Sequence, residues 1–341
     1  MPVSLPRAAG EPIRYRRARE ADLDTCARIS KVAIDDYLSR LNQPAQPDDV
    51  SHLRRLLAHL QATDPDRFWV AARPGAEPSE EHLIGFSSAS VRGDLWFLAM
   101  LFVDPASQAT GVGKALMDHA QAARDVEPGG PRVPGPDDPL DSGIRTWGMC
   151  TDSAQPISNA LYAGRGMTPR IPVWRLSGEV RRWAALPPPP PGTEAIPFEV
   201  IEARTGDGPA RLAAQLDELD QDLIGITHAV DHGYLRREGR VGVLLREPSG
   251  RALGYAYVSS VGRLGPVAVI DPELHPALIG TALRETPVAG PVGTWVPGSA
   301  DIAFRALLAA GLRLETFPAI ICWSDSGHPF HRYLPISLAV I

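Results

Sequence analysis

Cysteine is scarce: only Cys26, Cys150 and Cys322 occur in 341 residues. They are far apart, odd in number and without metal-ligand spacing. That excludes a disulfide framework or a cysteine-based zinc site and points to a reducing compartment. Long apolar runs are lacking too, and none approaches the about 18–20 residues that cross a bilayer. The start, Met1-Pro2-Val3-Ser4-Leu5-Pro6, has no apolar segment of the secretory kind. Neither sign of charge dominates: the formal net charge is -6 and no lysine/arginine cluster stands out, which argues against a nucleic-acid partner. The expectation is a soluble cytoplasmic protein with no membrane, nucleic-acid or metal partner.

What is abundant is proline, 34 residues of it, within an ordinary globular composition of 44% hydrophobic and 22% charged residues. The length suits two domains, each able to bury a core. Ile13 to Arg16 alternates like a strand. Asp22 opens a helix with Leu23, Cys26, Ala27, Ile29 and Ser30 close to one face. A second helix is expected over 48–60, then strands over 68–72 and 83–91, joined by a polar loop. Arg92-Gly93-Asp94 signals a hairpin turn. Leu95 to Val103 is nearly all apolar, as in a strand buried on both faces. A helix follows from Gly113, a glycine- and proline-rich loop over 128–143, a strand over 144–150, a short helix over 157–165 and a strand over 171–176.

The run Pro187 to Pro191 adopts polyproline II and spans roughly 15 Å. It marks a linker over 181–196, between domains at 11–180 and 197–341. The second half repeats the first in weakened form, with strands over 198–203, 241–246, 252–259 and 266–270 and a helix over 211–223. Val269-Ile270-Asp271-Pro272 echoes Phe102-Val103-Asp104-Pro105, and a Gly-Xaa-Ala-Leu follows each, at Gly113 and Gly280. Ala309-Ala310-Gly311-Leu312 echoes Gly164-Arg165-Gly166-Met167. An internal duplication accounts for both echoes.

Gln108-Ala109-Thr110-Gly111-Val112-Gly113 lies between the buried strand and an amphipathic helix. Glycine there allows a tight bend and close approach of a ligand to the backbone, and the helix start is an anion site. A nucleotide-binding P-loop is excluded, because it needs glycine at Gln108 and serine or threonine at Ala115. A dinucleotide fingerprint needs three glycines, and two are present. A turn with no ligand remains open.

The motif, the preceding Leu101-Phe102-Val103-Asp104-Pro105 and the later Leu161-Tyr162-Ala163-Gly164-Arg165-Gly166-Met167 together resemble the GCN5-related N-acetyltransferases (GNATs). The resemblance is clear over residues 11–178 and faint beyond. It implies an α/β fold with a mixed sheet, here as tandem GNAT-like domains with a degenerate second one. It also implies acetyl-CoA as co-substrate and an amine as acceptor. In the family the segment Gln108, Ala109, Thr110, Gly111, Val112, Gly113 and Lys114 would hold the pyrophosphate. Backbone groups of Leu101, Phe102 and Val103 would hold the pantetheine, and a backbone N–H there would polarise the thioester carbonyl. Tyr162 stands where the family has its general acid, which protonates the departing thiolate. A tyrosine packing a helix is the structural alternative. Gln155 replaces the family's asparagine seven residues earlier.

No carboxylate lies within 95–103, so the general base is not legible. Asp35, Asp36 and Asp152 are candidates for holding a cationic amine or are simply solvated acids, and a water chain could serve as base. Asp104 reads as a turn residue. His228 and His232 are four apart, but no third and fourth ligand joins them. Capping or core hydrogen bonding suits them better than zinc.

In the second half His275 falls opposite Gln108, Leu278 opposite Gly111 and Leu307 opposite Tyr162, so no donor site is expected there. The leading reading is an N-acetyltransferase using direct attack by a primary amine. The alternative is a non-catalytic acyl-CoA-binding or structural tandem module. Homodimer formation is left open.

Overall fold

The computed structural model describes residues 13–75, 81–122, 143–204, 206–325 and 328–341. The loop expected over 128–143 lies outside the described residues except for Gly143, as do the N-terminal residues and most of the polar loop after Pro74. Two compact units are present, one of Met1–Ser90 with Leu98–Ser142, the other of Val91–Phe97 with Gly143–Ile341.

The first unit carries β1 (Arg14–Arg17), α1 (Leu23–Arg40), α2 (Ser51–Thr63), β2 (Phe68–Pro74), most of β3 (Glu81–Arg92) and β4 (Leu95–Val103), and α3 (Val112–Ala122). Its strand order is β1-β2-β3-β4. Helix α1 begins at the expected residue and buries Leu23, Cys26, Ala27, Ile29 and Ser30. Asp22 does not cap forward. Its carboxylate accepts from the backbone N–H of Arg19 at 2.7 Å and pairs with Arg16 at 2.7 Å. Helix α2 starts at Ser51, later than expected, because the Asp49 carboxylate accepts the Ser51 N–H at 2.8 Å and holds a turn there. Trp69, Phe68 and Phe86 are fully buried, with the consecutive Phe68 and Trp69 on opposite faces of β2. Each contributes on the order of 2–3 kcal/mol of apolar burial. Gly93, with φ of +58°, makes the expected turn between β3 and β4.

The second unit carries β5 (Thr146–Asp152), α4 (Pro156–Ala163), β6 (Thr168–Gly178), β7 (Glu194–Pro197), α5 (Phe198–Arg204), α6 (Gly208–Ile224), α7 (Ala229–Arg237) and β8 (Arg240–Arg246). It continues through β9 (Ala252–Ser259), β10 (Leu264–Val269), α8 (His275–Glu285), β11 (Val292–Pro297), α9 (Asp301–Ala310), β12 (Arg313–Leu314), β13 (Ala319–Trp323) and β14 (Tyr333–Leu334). The strand expected over 198–203 is helix α5. The chain leaves β7 at Pro197, and Phe198 and Ile201, three apart, are both buried on one helical face. The Phe198 ring covers Gly242, where a β-carbon would stand 2.2 Å from the ring.

Strand β13 lies between β5 and β6, antiparallel to both, with Ile321 opposite Cys150 on one side and Ile171 on the other. Strand β6 in turn pairs with β11, from Val292↔Gly178 to Pro297↔Val173. Strand β13 of the second repeat is therefore inserted between β5 and β6 of the first, and β6 is flanked by β13 and β11 of the second. A separate sheet has the order β14-β10-β9-β8-β7. Leu176 of β6 and Leu186, just before the prolines, are fully buried in one core with Val243, Val258, Leu278 and Leu307. The Leu186 carbonyl accepts from Arg284 at 2.7 Å, so the linker enters its proline run already anchored.

Candidate acyl-CoA site

In the first unit, β4 is followed by Asp104, whose carboxylate accepts the Ala106 N–H at 2.9 Å and closes a single 3-10 turn over Pro105–Ser107. Asp104 is thus a turn residue. Gln108 to Gly111 form an exposed loop with Ala109 at φ +59° and Gly111 at φ +91°. Nothing lies within 4 Å of where a Gly111 β-carbon would stand. The first bond of α3 runs from Ala115 N–H to Gly111 O at 3.1 Å. The N–H groups of Val112 and Gly113 precede that bond and stand at the positive end of the helix dipole. The combination of an open loop, a left-handed glycine and a helix start fits a phosphate.

The side chains in this segment support the loop rather than project from it. Gln108 Nε2 donates to Val103 O at 3.1 Å, and Thr110 Oγ1 donates to Ser107 O at 2.6 Å. Lys114 turns along the helix to Asp118 at 3.0 Å. Helix α3 is fixed to the sheet by Ser87 Oγ, which donates to Leu116 O at 2.9 Å. Its last turn receives the Arg67 guanidinium at Ala120 O and Gln121 O.

On β4, Asp104 N–H donates to Ile84 O at 2.8 Å, and Phe102 O lies 2.9 Å from where a Gly85 β-carbon would be. Phe102 thus turns its backbone to β3 and its ring to Phe86 at 5.9 Å. By strand alternation, Leu101 and Val103 present their backbone groups along the edge facing away from β3.

In the second unit, Tyr162 lies in the last turn of α4 and is buried. Burial raises its phenol well above the ordinary value, with the Cys322 thiol of β13 adding to the effect, so it stays protonated at neutral pH. Its carbonyl accepts from Met167 N–H at 3.1 Å, and Gly166 sits at φ +85°. Gln155 precedes α4 and its carbonyl accepts from Asn159 Nδ2 at 2.8 Å. Asp152 ends β5, and burial raises its carboxyl to about 6. Asp35 and Asp36 belong to their own helix, paired to Lys31 and Arg40 at 2.6 Å each.

The counterpart segment in the second repeat is built differently. Asp271 accepts the Glu273 N–H and opens the same 3-10 turn. The residues aligned with the loop, His275 to Leu278, are instead the first turn of α8, with His275 and Leu278 fully buried. Gly280 lies mid-helix against Leu186, its β-carbon position 2.7 Å from that carbonyl. Leu312 N–H donates to Leu307 O at 3.1 Å, the bond that Met167 makes to Tyr162, so Leu307 is the structural equivalent of the tyrosine.

Two features were not visible in the sequence. One is the insertion of β13, for which the apolar Ala319–Trp323 run was the available signal. The other is a buried network around Asp220, whose carboxylate takes His228 Nδ1 at 3.1 Å, His232 Nε2 at 3.0 Å and the Tyr255 hydroxyl. Burial alone would raise this carboxyl, but the two imidazole hydrogen bonds hold it down to about 2. His232 Nδ1 bonds the Tyr257 hydroxyl at 3.0 Å, so the histidine pair makes core hydrogen bonds. Beside it Arg92 grips the fully buried Asp231 at 2.8 and 3.1 Å.

Residues 64–151 match the model of the acetyltransferase (GNAT) domain. Over that stretch the chain is similar to a GNAT acetyltransferase domain. That segment spans the Gln108–Gly113 loop, and the family is one of acyltransferases. No curated protein matches. Among solved structures, a putative acetyltransferase from Pyrococcus horikoshii is 13% identical with a TM-score of 0.66, covering 100% of this chain and 99% of that one. A GCN5-related N-acetyltransferase from Sphaerobacter thermophilus is 15% identical with a TM-score of 0.58, covering 97% and 100%. A tandem GNAT protein from the clavulanic acid biosynthesis pathway is 16% identical with a TM-score of 0.54, covering 93% and 99%. The fold of the whole chain is that of a tandem GNAT protein. Among the described residues, no helix is long and apolar enough to cross a membrane.

Proposed function

We propose that this chain is an acetyl-CoA-dependent N-acetyltransferase that acetylates a primary amine by direct attack, with one donor site, in the first repeat. The observation that carries the reading is the loop from Gln108 to Gly111 and the start of α3. Its backbone N–H groups suit a pyrophosphate, and the open side of Gly111 leaves room for one. Acetyl-CoA would supply the activated thioester. The backbone of Leu101 and Val103 would bind and orient the pantetheine, with the Phe102 ring packed on Phe86. Gln155, just before α4, is assigned a donor contact in place of the family's asparagine.

Tyr162 is the group we assign to protonate the departing thiolate. A phenol holds its proton at neutral pH and can give it to a developing thiolate beside it. Asp152 is the acid we assign to the amine. With a carboxyl near 6 it is mostly ionised at neutral pH and basic enough to hold or take a proton. The second repeat supports the first by strand exchange and has no loop for a second donor.

The test is amine-dependent release of free CoA thiol from acetyl-CoA across a panel of primary amines. Turnover with at least one amine is expected. Saturable acetyl-CoA binding with no amine-dependent release across the panel would favour a non-catalytic acyl-CoA-binding module instead.

A further inference from the structure

A cavity of about 160 Å³ lies within the second unit, lined from the residues that begin β4, whereas the proposed donor loop follows that strand's end. Leu95, Ile224 and Ile226 line it with aliphatic carbon, and Trp323 and Phe330 add two rings stacked at 6.2 Å and 24°. Asp94 and Asp325 line it as well, and both are tied to one residue, Thr146. The Asp94 carbonyl accepts the Thr146 N–H at 3.1 Å, and Asp325 Oδ2 accepts Thr146 Oγ1 at 3.0 Å. Two acids are thereby brought to the same cavity, and its lining includes no lysine or arginine among the described residues. Trp323 adds a polar signal. It is 2% exposed, and its indole N–H has no partner among the described residues. The benzene edge of the indole packs over Gly148, so the edge bearing Nε1 faces away from β5.

We infer that this cavity binds a small organic cation with a single-ring apolar body, an arylalkylammonium. A cavity of roughly 150 Å³ with apolar walls accepts one benzene ring, so the size matches. The two acids supply the complement to an ammonium group, and the faces of Trp323 and Phe330 suit both the ring and the charge. The buried indole N–H serves an acceptor atom on the ligand or on a water it carries. This inference concerns a site apart from the donor loop and does not depend on acetyl transfer.

The probes are benzylamine and its neutral isostere benzyl alcohol, titrated calorimetrically into the full chain at neutral pH. Acetyl-CoA binding is measured in parallel as a control for an intact fold. The amine should bind at least about tenfold more tightly than the alcohol, about 1.4 kcal/mol. In Asp94→Asn/Asp325→Asn the preference should disappear while acetyl-CoA binding is unchanged. Ile226→Trp, which fills the cavity and keeps both acids, should lose both ligands. Equal binding of amine and alcohol by the wild type, or no saturable binding of the amine, would overturn the inference without any variant having to fold. So would a preference that survives the double substitution.

Discussion

Replacing Gly148 with alanine is expected to destabilise the protein at the joint where β13 enters beside β5. Gly148 pairs with Trp323, and the indole lies across it. A β-carbon at 148 would stand 1.6 Å from Cζ3 and 2.0 Å from Cε3 of that ring. Ordinary carbon contacts are about 3.5–4.0 Å, so the indole must retreat by roughly 2 Å. It has little room to do so, being 2% exposed with Phe97 and Phe330 against it at 6.2 Å each. Overpacking of this kind typically costs about 1–3 kcal/mol, and the severity of the overlap places this case at the upper end, about 3 kcal/mol. Trp323→Ala removes the same contact from the other side and should cost about 3–5 kcal/mol. The double variant should then be scarcely less stable than Trp323→Ala alone, because alanine at 148 meets empty space. Urea denaturation of the four proteins gives the cycle directly. A Gly148→Ala protein as stable as the wild type, or additive costs in the double variant, would refute the placement of β13.

Tyr162→Phe should lower turnover by on the order of 10²-fold or more while acetyl-CoA affinity stays within about twofold, read by steady-state kinetics and calorimetry. Wild-type turnover would return Tyr162 to a packing role. Asp152→Asn should flatten the rise in kcat/KM expected as pH increases through about 6; an unchanged pH profile would remove Asp152 from the reaction. His275 is fully buried, and burial holds its imidazole down to about 4. Its folded value lies below the unfolded 6.5, so between those values the unfolded chain binds more protons and stability falls as pH falls. His275 alone should take away about 2 kcal/mol between pH 7 and pH 5, and His275→Leu should lose that part of the slope in denaturation series at the two pH values. An identical slope in the variant would contradict it.

The donor loop was legible because its signal is local: an apolar strand, Asp104-Pro105, two glycines at fixed spacing and a helical period follow one another in the chain. The same held for Tyr162 and Leu307, whose equivalence rests on a short turn with a glycine in each copy. Phe198–Arg204 was misread because its apolar residues, Phe198, Val200 and Ile201, satisfy strand alternation as well as a helical face, and burial of Phe198 with Ile201 decides for the helix. The winding of His275 to Leu278 into a helix was hidden by the Gly-Xaa-Ala-Leu echo, which keeps its place in sequence while Gly280 lies mid-helix packed on Leu186 and Gly113 lies in the first turn of α3. Strand exchange and the Asp220 network depend on residues far apart in the chain. Nothing in the period or spacing near Ala319–Trp323 says which strands it will join.

The central claim, one acyl-CoA site built on the Gly111 loop, is tested most directly by calorimetric titration of a non-hydrolysable acetyl-CoA analogue into the wild type and Gly111→Asp. Aspartate at φ +91° would be strained and would carry a negative charge toward the phosphate. The account predicts one equivalent per chain in the wild type and at least about a tenfold loss of affinity in the variant, about 1.4 kcal/mol. Two equivalents of similar affinity, or an unchanged affinity in a folded Gly111→Asp protein, would contradict it.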